Sequence, residues 1–305
     1  MTALDPWRAR LILLAAGIGS LALLVGVATH GVRLYDPGAV VDAFVIFLAG
    51  AVGYLWASQF GPLGVILAAL SGGAVIFGIG TTAVLVLTLL TALADAFLLF
   101  RFLRLSAPPD PALGIATGLA VMVGLLQVLM HLPVNWAPAY LIAGGVVIAL
   151  TRRELAACLT RLRTAELPLQ GAVGTAAGAV LFGGLLAASA YGIGPETGYD
   201  ALSNHLLVIS WVGWNGSFHF DPTLFDRGLM PRGAGWLATW SFILGGETAY
   251  RLLNVACLWL IAAIVMGFAA ERPQRDEAPP AVAALGLIAL VSTSMVVALV
   301  SQFYE

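Results

Sequence analysis

Residues 192–233, GIGPETGYDALSNHLLVISWVGWNGSFHFDPTLFDRGLMPRG, concentrate the side chains with which this chain could do chemistry. Glu196, Asp200, His205, His219, Asp221, Asp226, Arg227 and Arg232 fall here, in a chain that is only 10% charged. A carboxylate can accept a proton, and an arginine can hold a negative charge. The turn Gly198-Tyr199 precedes Asp200, and Ala201 to Trp211 is helix-compatible. An Asp at that position also works as a helix N-cap, and residue type alone favours the cap. Asn204 sits one turn on and shares its face. His205 is turned away by about 140°, which disfavours an Asp–His dyad within the helix. His205, His219 and Asp221 are metal-ligand types at irregular spacing, and single histidines more often serve as hydrogen-bonding residues. Neither a divalent metal nor another cofactor is supported by the spacing.

Composition says what must position this segment. The chain has 305 residues, 60% hydrophobic, with a mean hydropathy of +0.97. An ordinary soluble domain is about 25% charged, and a single soluble core of this size could not hide so much apolar surface. The expected fold is an all-α polytopic membrane protein. Crossing the hydrocarbon takes roughly 20 apolar residues per helix. Stretches of that kind lie at about 10–30, 38–59, 62–80, 82–103, 112–131, 136–151, 171–191, 250–270 and 281–300, which predicts nine spans. The apolar run from Leu11 is too long for a signal peptide and is followed by further spans. Gly174 and Gly178 stand in GxxxG spacing, a pattern that lets helices approach closely in lipid. Every basic residue is Arg and no basic patch forms, so nucleic acid is not a partner. Cys158 and Cys257 lie far apart in sequence and predict no disulfide.

Orientation follows from the arginines. Arg8 and Arg10, Arg101 and Arg104, Arg152 to Arg163, and Arg272 and Arg275 all fall on one side if the N-terminus is cytoplasmic. Arg33 is the exception outside the long loop. The agreement requires that residues 234–245, apolar but short, form a re-entrant or interfacial helix ending at Gly245-Gly246. It also requires a very tight turn near Gly78-Ile79-Gly80. Residues 152–168 read as a basic connector with Leu155, Leu159 and Leu162 on one face, either lying on the cytoplasmic surface or solvated. Segment 192–233 is then external, a long loop carrying short interfacial helices, with Trp211, Trp214, Phe218 and Phe220 suited to the headgroup layer.

Tyr199-Asp200-Ala-Leu-Ser-Asn-His205-Leu, Trp214-Asn-Gly-Ser-Phe-His-Phe, Met230-Pro231 and Leu244-Gly-Gly-Glu-Thr-Ala-Tyr-Arg251-Leu-Leu-Asn254 together resemble the GT-C superfamily. These are polytopic glycosyltransferases that use lipid-phosphate-linked sugars, and the protein O-mannosyltransferases and lipid A aminoarabinose transferases belong to them. The resemblance covers 171–305 and divides the chain. Residues 1–170 would be an N-terminal transmembrane bundle ending in the cytoplasmic linker, and 171–305 the start of a catalytic core.

By resemblance, Asp200 is the acid near the start of the first large external loop, a general base toward the acceptor hydroxyl. Glu305 stands where family members carry a second acid. Arg227, Arg232 and Arg251 have the chemical type to stabilise the leaving phosphate, and His205, Asn204 and His219 would contact substrate. The family usually continues with more spans, so a fragment is an expectation here. The implied partners are a polyprenyl-phosphate sugar, a glycan, lipid or protein acceptor, and the lipids of the bacterial inner membrane. Two other classes fit parts of the sequence. Asp42 and Asp95, acids within spans, suit a transporter. A noncatalytic assembly subunit would suit the short C-terminal end.

Overall fold

The computed structural model describes residues 37–105, 110–169, 171–191, 206–219, 233–271 and 286–287. Among the described residues every regular element is a helix. These are α1 (Pro37–Ala57), a 3-10 turn (Ser58–Phe60), α2 (Gly61–Phe77), α3 (Ile79–Phe102) and α4 (Pro111–Leu129). They continue with α5 (Ala137–Leu150), α6 (Arg152–Thr164), α7 (Gly171–Tyr191), α8 (Leu207–Asn215) and α9 (Gly233–Glu271). Four stretches are long and apolar enough to cross a membrane: Val41–Phe77, Ile79–Phe102, Pro111–Leu129 and Gly235–Phe268. Ala137–Leu150 and Gly174–Ala190 are shorter apolar helices. The first and last predicted spans lie outside the described residues, apart from Gly286 and Leu287.

Local chemistry explains the helix ends. Asp110 caps α4, its carboxylate accepting from the backbone N–H of Ala112 at 2.6 Å and of Leu113 at 3.1 Å, with Pro111 as the first helical residue. The tight turn between α2 and α3 is the single residue Gly78, at φ 89°, a conformation that glycine adopts without steric cost. Thr88 and Thr91 on α3 return their hydroxyl protons to the carbonyls of Val84 and Leu87, each at 2.8 Å. Such back-bonding satisfies a hydroxyl inside an apolar helix.

The chain divides into two compact units. The first holds α1, most of α2, α7 and the part of α9 from Leu258. Its packing depends on close backbone approach. A Cβ at Gly183 would stand 2.5 Å from the Phe47 carbonyl, and one at Gly50 would stand 3.0 Å from Gly183 Cα. Gly178 lies against the ring of Tyr54, whereas Gly174 meets the backbone of Leu169 in its own lead-in. Gly178 and Gly183 are therefore the pair that face α1, and the GxxxG spacing found only one of them. Trp259 closes the unit, donating to Ser189 Oγ at 3.0 Å and meeting Phe182 edge-on.

The second unit holds α3, α4, α5, α8 and α9 as far as Cys257. Helices α3 and α4 form an antiparallel hairpin in which Gly118 lies directly on the Ala92 carbonyl. Helix α6 begins in this unit, and Arg101 at the end of α3 bridges to Glu154 in its first turn. A hydrogen bond from its own backbone, then the one from Arg101, holds the Glu154 carboxyl below the usual glutamate range. The residues around α6 differ in burial. Thr151 and Cys158 are buried and Leu155 and Leu162 half-buried, while Leu159 is 55% exposed.

Gly118→Leu is expected to lower the stability of the purified protein by about 1–3 kcal/mol. Gly124→Leu, at a position where an added Cβ meets nothing within 4 Å, is the matched control. Equal thermal midpoints for the two variants would mean that the α3–α4 contact is not tight.

Candidate functional site

The second unit is organised around the short turn 130–136 between α4 and α5. Asn135 is its hub, at 1% exposure. Its side-chain amide points at the carbonyls of Leu132 and Gly216, both 2.8 Å away, and of Leu129 at 3.0 Å and Met130 at 3.4 Å. Two amide hydrogens cannot make four full bonds, so the contacts are shared. The Asn135 side-chain carbonyl accepts from the Tyr140 hydroxyl at 2.6 Å. Main chain reinforces side chain: Asn135 N–H donates to Gly216 O at 3.1 Å, and Phe218 N–H to Met130 O at 2.6 Å. These bonds fix segment 216–218, the part of the polar stretch that follows α8, to a turn 81 residues earlier. Gly216 makes this possible by ending α8 in the left-handed conformation, φ 72°.

An aromatic box sits beside the clasp. His131 Nδ1 lies 3.3 Å from Phe218 O, and the rings of His131, Phe218 and Trp236 meet edge-on at 5.4–6.3 Å. Trp236 donates to Gln127 Oε1 at 2.6 Å. One turn on, Trp240 donates to Thr88 Oγ1 at 3.2 Å and stacks on Tyr140 at 4.5 Å. Burying two indoles requires these partners for their N–H groups.

Trp236 and Trp240 belong to the first part of α9, which breaks at Gly245 (φ −151°, ψ 15°) and Gly246 (φ 73°, ψ −167°). We label residues 233–244 α9a and 247–271 α9b. Twelve residues rise about 18 Å, short of a hydrocarbon core of about 30 Å. The contacts agree. Gln127, beside the start of α9a, is near the last residue of α4, and Val84, against Gly245, is near the first of α3. Both ends of α9a thus stay at one end of the α3–α4 hairpin. Past the break, Tyr250 joins Ala238 of α9a and Ile209 of α8 in one apolar cluster, so the chain turns back on itself.

Glu247 and Arg251 follow the break, one turn apart, with Arg251 Nε 3.1 Å from Glu247 Oε1. The arginine is 6% exposed and the glutamate 39%. An ion pair so placed keeps a guanidinium inside the protein, with its charge balanced by the half-buried carboxylate one turn earlier.

Of the residues expected to act, His219 and Arg251 are placed. His219 is exposed, with Nε2 3.1 Å from Ser217 Oγ. Asp200, Asn204, His205, Arg227, Arg232 and Glu305 lie outside the described residues. Asp42 is exposed and belongs to the first unit, and Asp95 is 7% exposed in the second. Both cysteines are free thiols. Among the described residues, no three His, Cys, Asp or Glu side chains group to hold a metal ion. Asn135, His131 and Glu247 were not singled out from sequence. The one local signal was Asn215-Gly216, a helix-ending pair that marks where α8 stops. No protein-family model, curated protein or solved structure matches the chain.

Asn135→Ala removes the partner of Tyr140 and of several buried carbonyls, and is expected to cost at least about 2 kcal/mol. Asn135→Asp is expected to do no better, because a carboxylate keeps the Tyr140 bond but faces carbonyls it cannot donate to. Faster chymotryptic cleavage near Phe218 and a lower thermal midpoint are the readouts. Wild-type behaviour of both variants would dismiss the clasp.

Proposed function

We propose that this chain is a membrane glycosyltransferase of the GT-C type, moving a sugar from a polyprenyl-phosphate donor to an acceptor on the external face. The observation that carries this reading is the convergence, within one unit, of segments that bear the resemblance. Ile209 of α8 and Tyr250 of α9b share a cluster, 216–218 is clasped beside them, and Arg251 is buried one residue past Tyr250. The break in α9 supports it further. Gly245 is exposed, and a broken backbone at membrane depth is tolerated where it is buried in protein or lines water. The buried guanidinium of Arg251, one turn past the break, has the chemical type to meet a lipid phosphate leaving group.

The proposed topology has nine spans and a cytoplasmic N-terminus. Three contacts support it. Arg101 meets Glu154, and both belong to arginine-bearing connections assigned to the cytoplasm. Asn135 meets Gly216, and both belong to connections assigned outside. Helix α9a keeps both ends at one end of the α3–α4 hairpin, as a re-entrant helix must. In this arrangement Asp200 acts as general base toward the acceptor hydroxyl. Arg251, with Arg227 and Arg232, stabilises the leaving phosphate, and His219, His205 and Asn204 contact substrate. Glu305 is proposed as the second acid.

One observation favours transport as the second reading. Asp95 is buried on α3 and makes no hydrogen bond or ion pair among the described residues. An acid of that kind inside a membrane helix is a marker of ion or proton pathways.

A transfer assay on the full-length gene product, with a panel of polyprenyl-phosphate sugars, tests the first reading. Asp200→Asn is expected to reduce transfer by roughly 10²–10⁴-fold without changing the thermal midpoint. Undiminished transfer would remove the catalytic assignment. Asp95→Asn is expected to leave transfer intact, and if it instead abolishes solute flux in proteoliposomes, the transport reading takes over.

A further inference from the structure

The first unit contains a cavity of about 540 Å³, where the turn between α1 and α2 meets the stretch that joins α6 to α7. Its volume falls in the range that takes a small ligand or a lipid headgroup. The lining is divided by chemistry. Gln59, Arg163, Glu166 and Thr175 supply polar groups, while Phe60 and Leu167 supply apolar ones. Gly61 shapes the wall, since at φ +69° it brings the turn so close to the Ala165 carbonyl that an added Cβ would stand 3.2 Å from it. Arg163 is exposed and has no acid paired with it among the described residues. Thr175 is half-buried, one turn into α7.

The apolar part of the lining does not stop at the cavity. Phe60 is 58% exposed and meets Trp56, itself 66% exposed, at a ring distance of 5.1 Å. Val52, one turn earlier on α1, is 65% exposed. Val52, Trp56 and Phe60 therefore form a bare apolar stripe that leads along a candidate membrane span to the cavity. A polar cavity continuous with an apolar stripe matches an amphiphile rather than a soluble anion.

We propose that this cavity binds the phosphodiester headgroup of a membrane phospholipid, with the acyl chains lying along Val52, Trp56 and Phe60. Arg163 supplies the charge, Thr175 and Gln59 supply hydrogen bonds, and a guanidinium paired to a phosphate is among the stronger polar contacts. Glu166 in the same lining sets the preference: one arginine against one carboxylate suits a singly charged phosphodiester and disfavours a dianionic phosphate.

The test is native mass spectrometry of the full chain released from detergent micelles, with phosphatidylglycerol, phosphatidylethanolamine and diacylglycerol titrated as probes. One retained molecule of either phospholipid is expected, and none of diacylglycerol. Arg163→Gln and Thr175→Val are each expected to weaken retention about ten-fold. Arg152→Gln, on the same helix but outside the lining, is expected to leave it unchanged, and thermal midpoints check that all variants fold. Inorganic phosphate at millimolar concentration is expected not to displace the lipid. Displacement by phosphate would make this a soluble-anion site, and equal retention of diacylglycerol, or of phospholipid by Arg163→Gln, would overturn the proposal outright.

Discussion

A buried backbone carbonyl without a partner costs a few kcal/mol, and among the described residues Asn135, at 1% exposure, meets that constraint most densely. Helix α4 ends, turns and restarts as α5 within a few residues, leaving a set of carbonyls that no helix can satisfy. One amide side chain is shared among three of them and a fourth carbonyl, that of the distant Gly216. The same residue therefore closes a helix turn and anchors the distant polar segment. Tyr140 holds the amide in place, and Tyr140 in turn stacks on Trp240, so the position of α9a is tied to the same hub.

The break in α9 is the second consequence of the constraint. An apolar run from Gly235 to Phe268 has the composition of one long span. Gly245-Gly246 interrupts it, and the indole N–H groups of Trp236 and Trp240 find acceptors on α4 and α3 only if α9a lies across those helices. The first part is thus held by specific polar contacts, while the second is held by apolar packing of Leu258, Ala262 and Met266. Glu247 and Arg251 sit at the change from one regime to the other.

What could be read in advance follows the range of the interaction. Apolar runs predicted the helices of α1 to α5 and α7, because hydrophobicity is carried by each segment alone. The glycine pair predicted the end of α9a, because a left-handed residue is a local demand. Asn135 was invisible: an Asn in a turn is ordinary, and its partner Gly216 is 81 positions away. The contact face of α7 was half-read for a similar reason. Gly178 stood in a recognisable spacing, yet Gly183 is matched to Phe47 and Gly50 by shape, which no spacing within α7 records.

The nine-span arrangement, which puts Arg275 on the side opposite His219, depends on α9a not crossing the membrane. Single cysteines placed in a background of Cys158→Ser and Cys257→Ser, and probed in intact cells with a membrane-impermeant maleimide, measure this directly. His219→Cys should be labelled, and Arg153→Cys and Arg275→Cys should both be protected until the membrane is opened. Labelling of Arg275→Cys together with His219→Cys would mean that α9a crosses, and the re-entrant helix and the nine-span arrangement would fall with it.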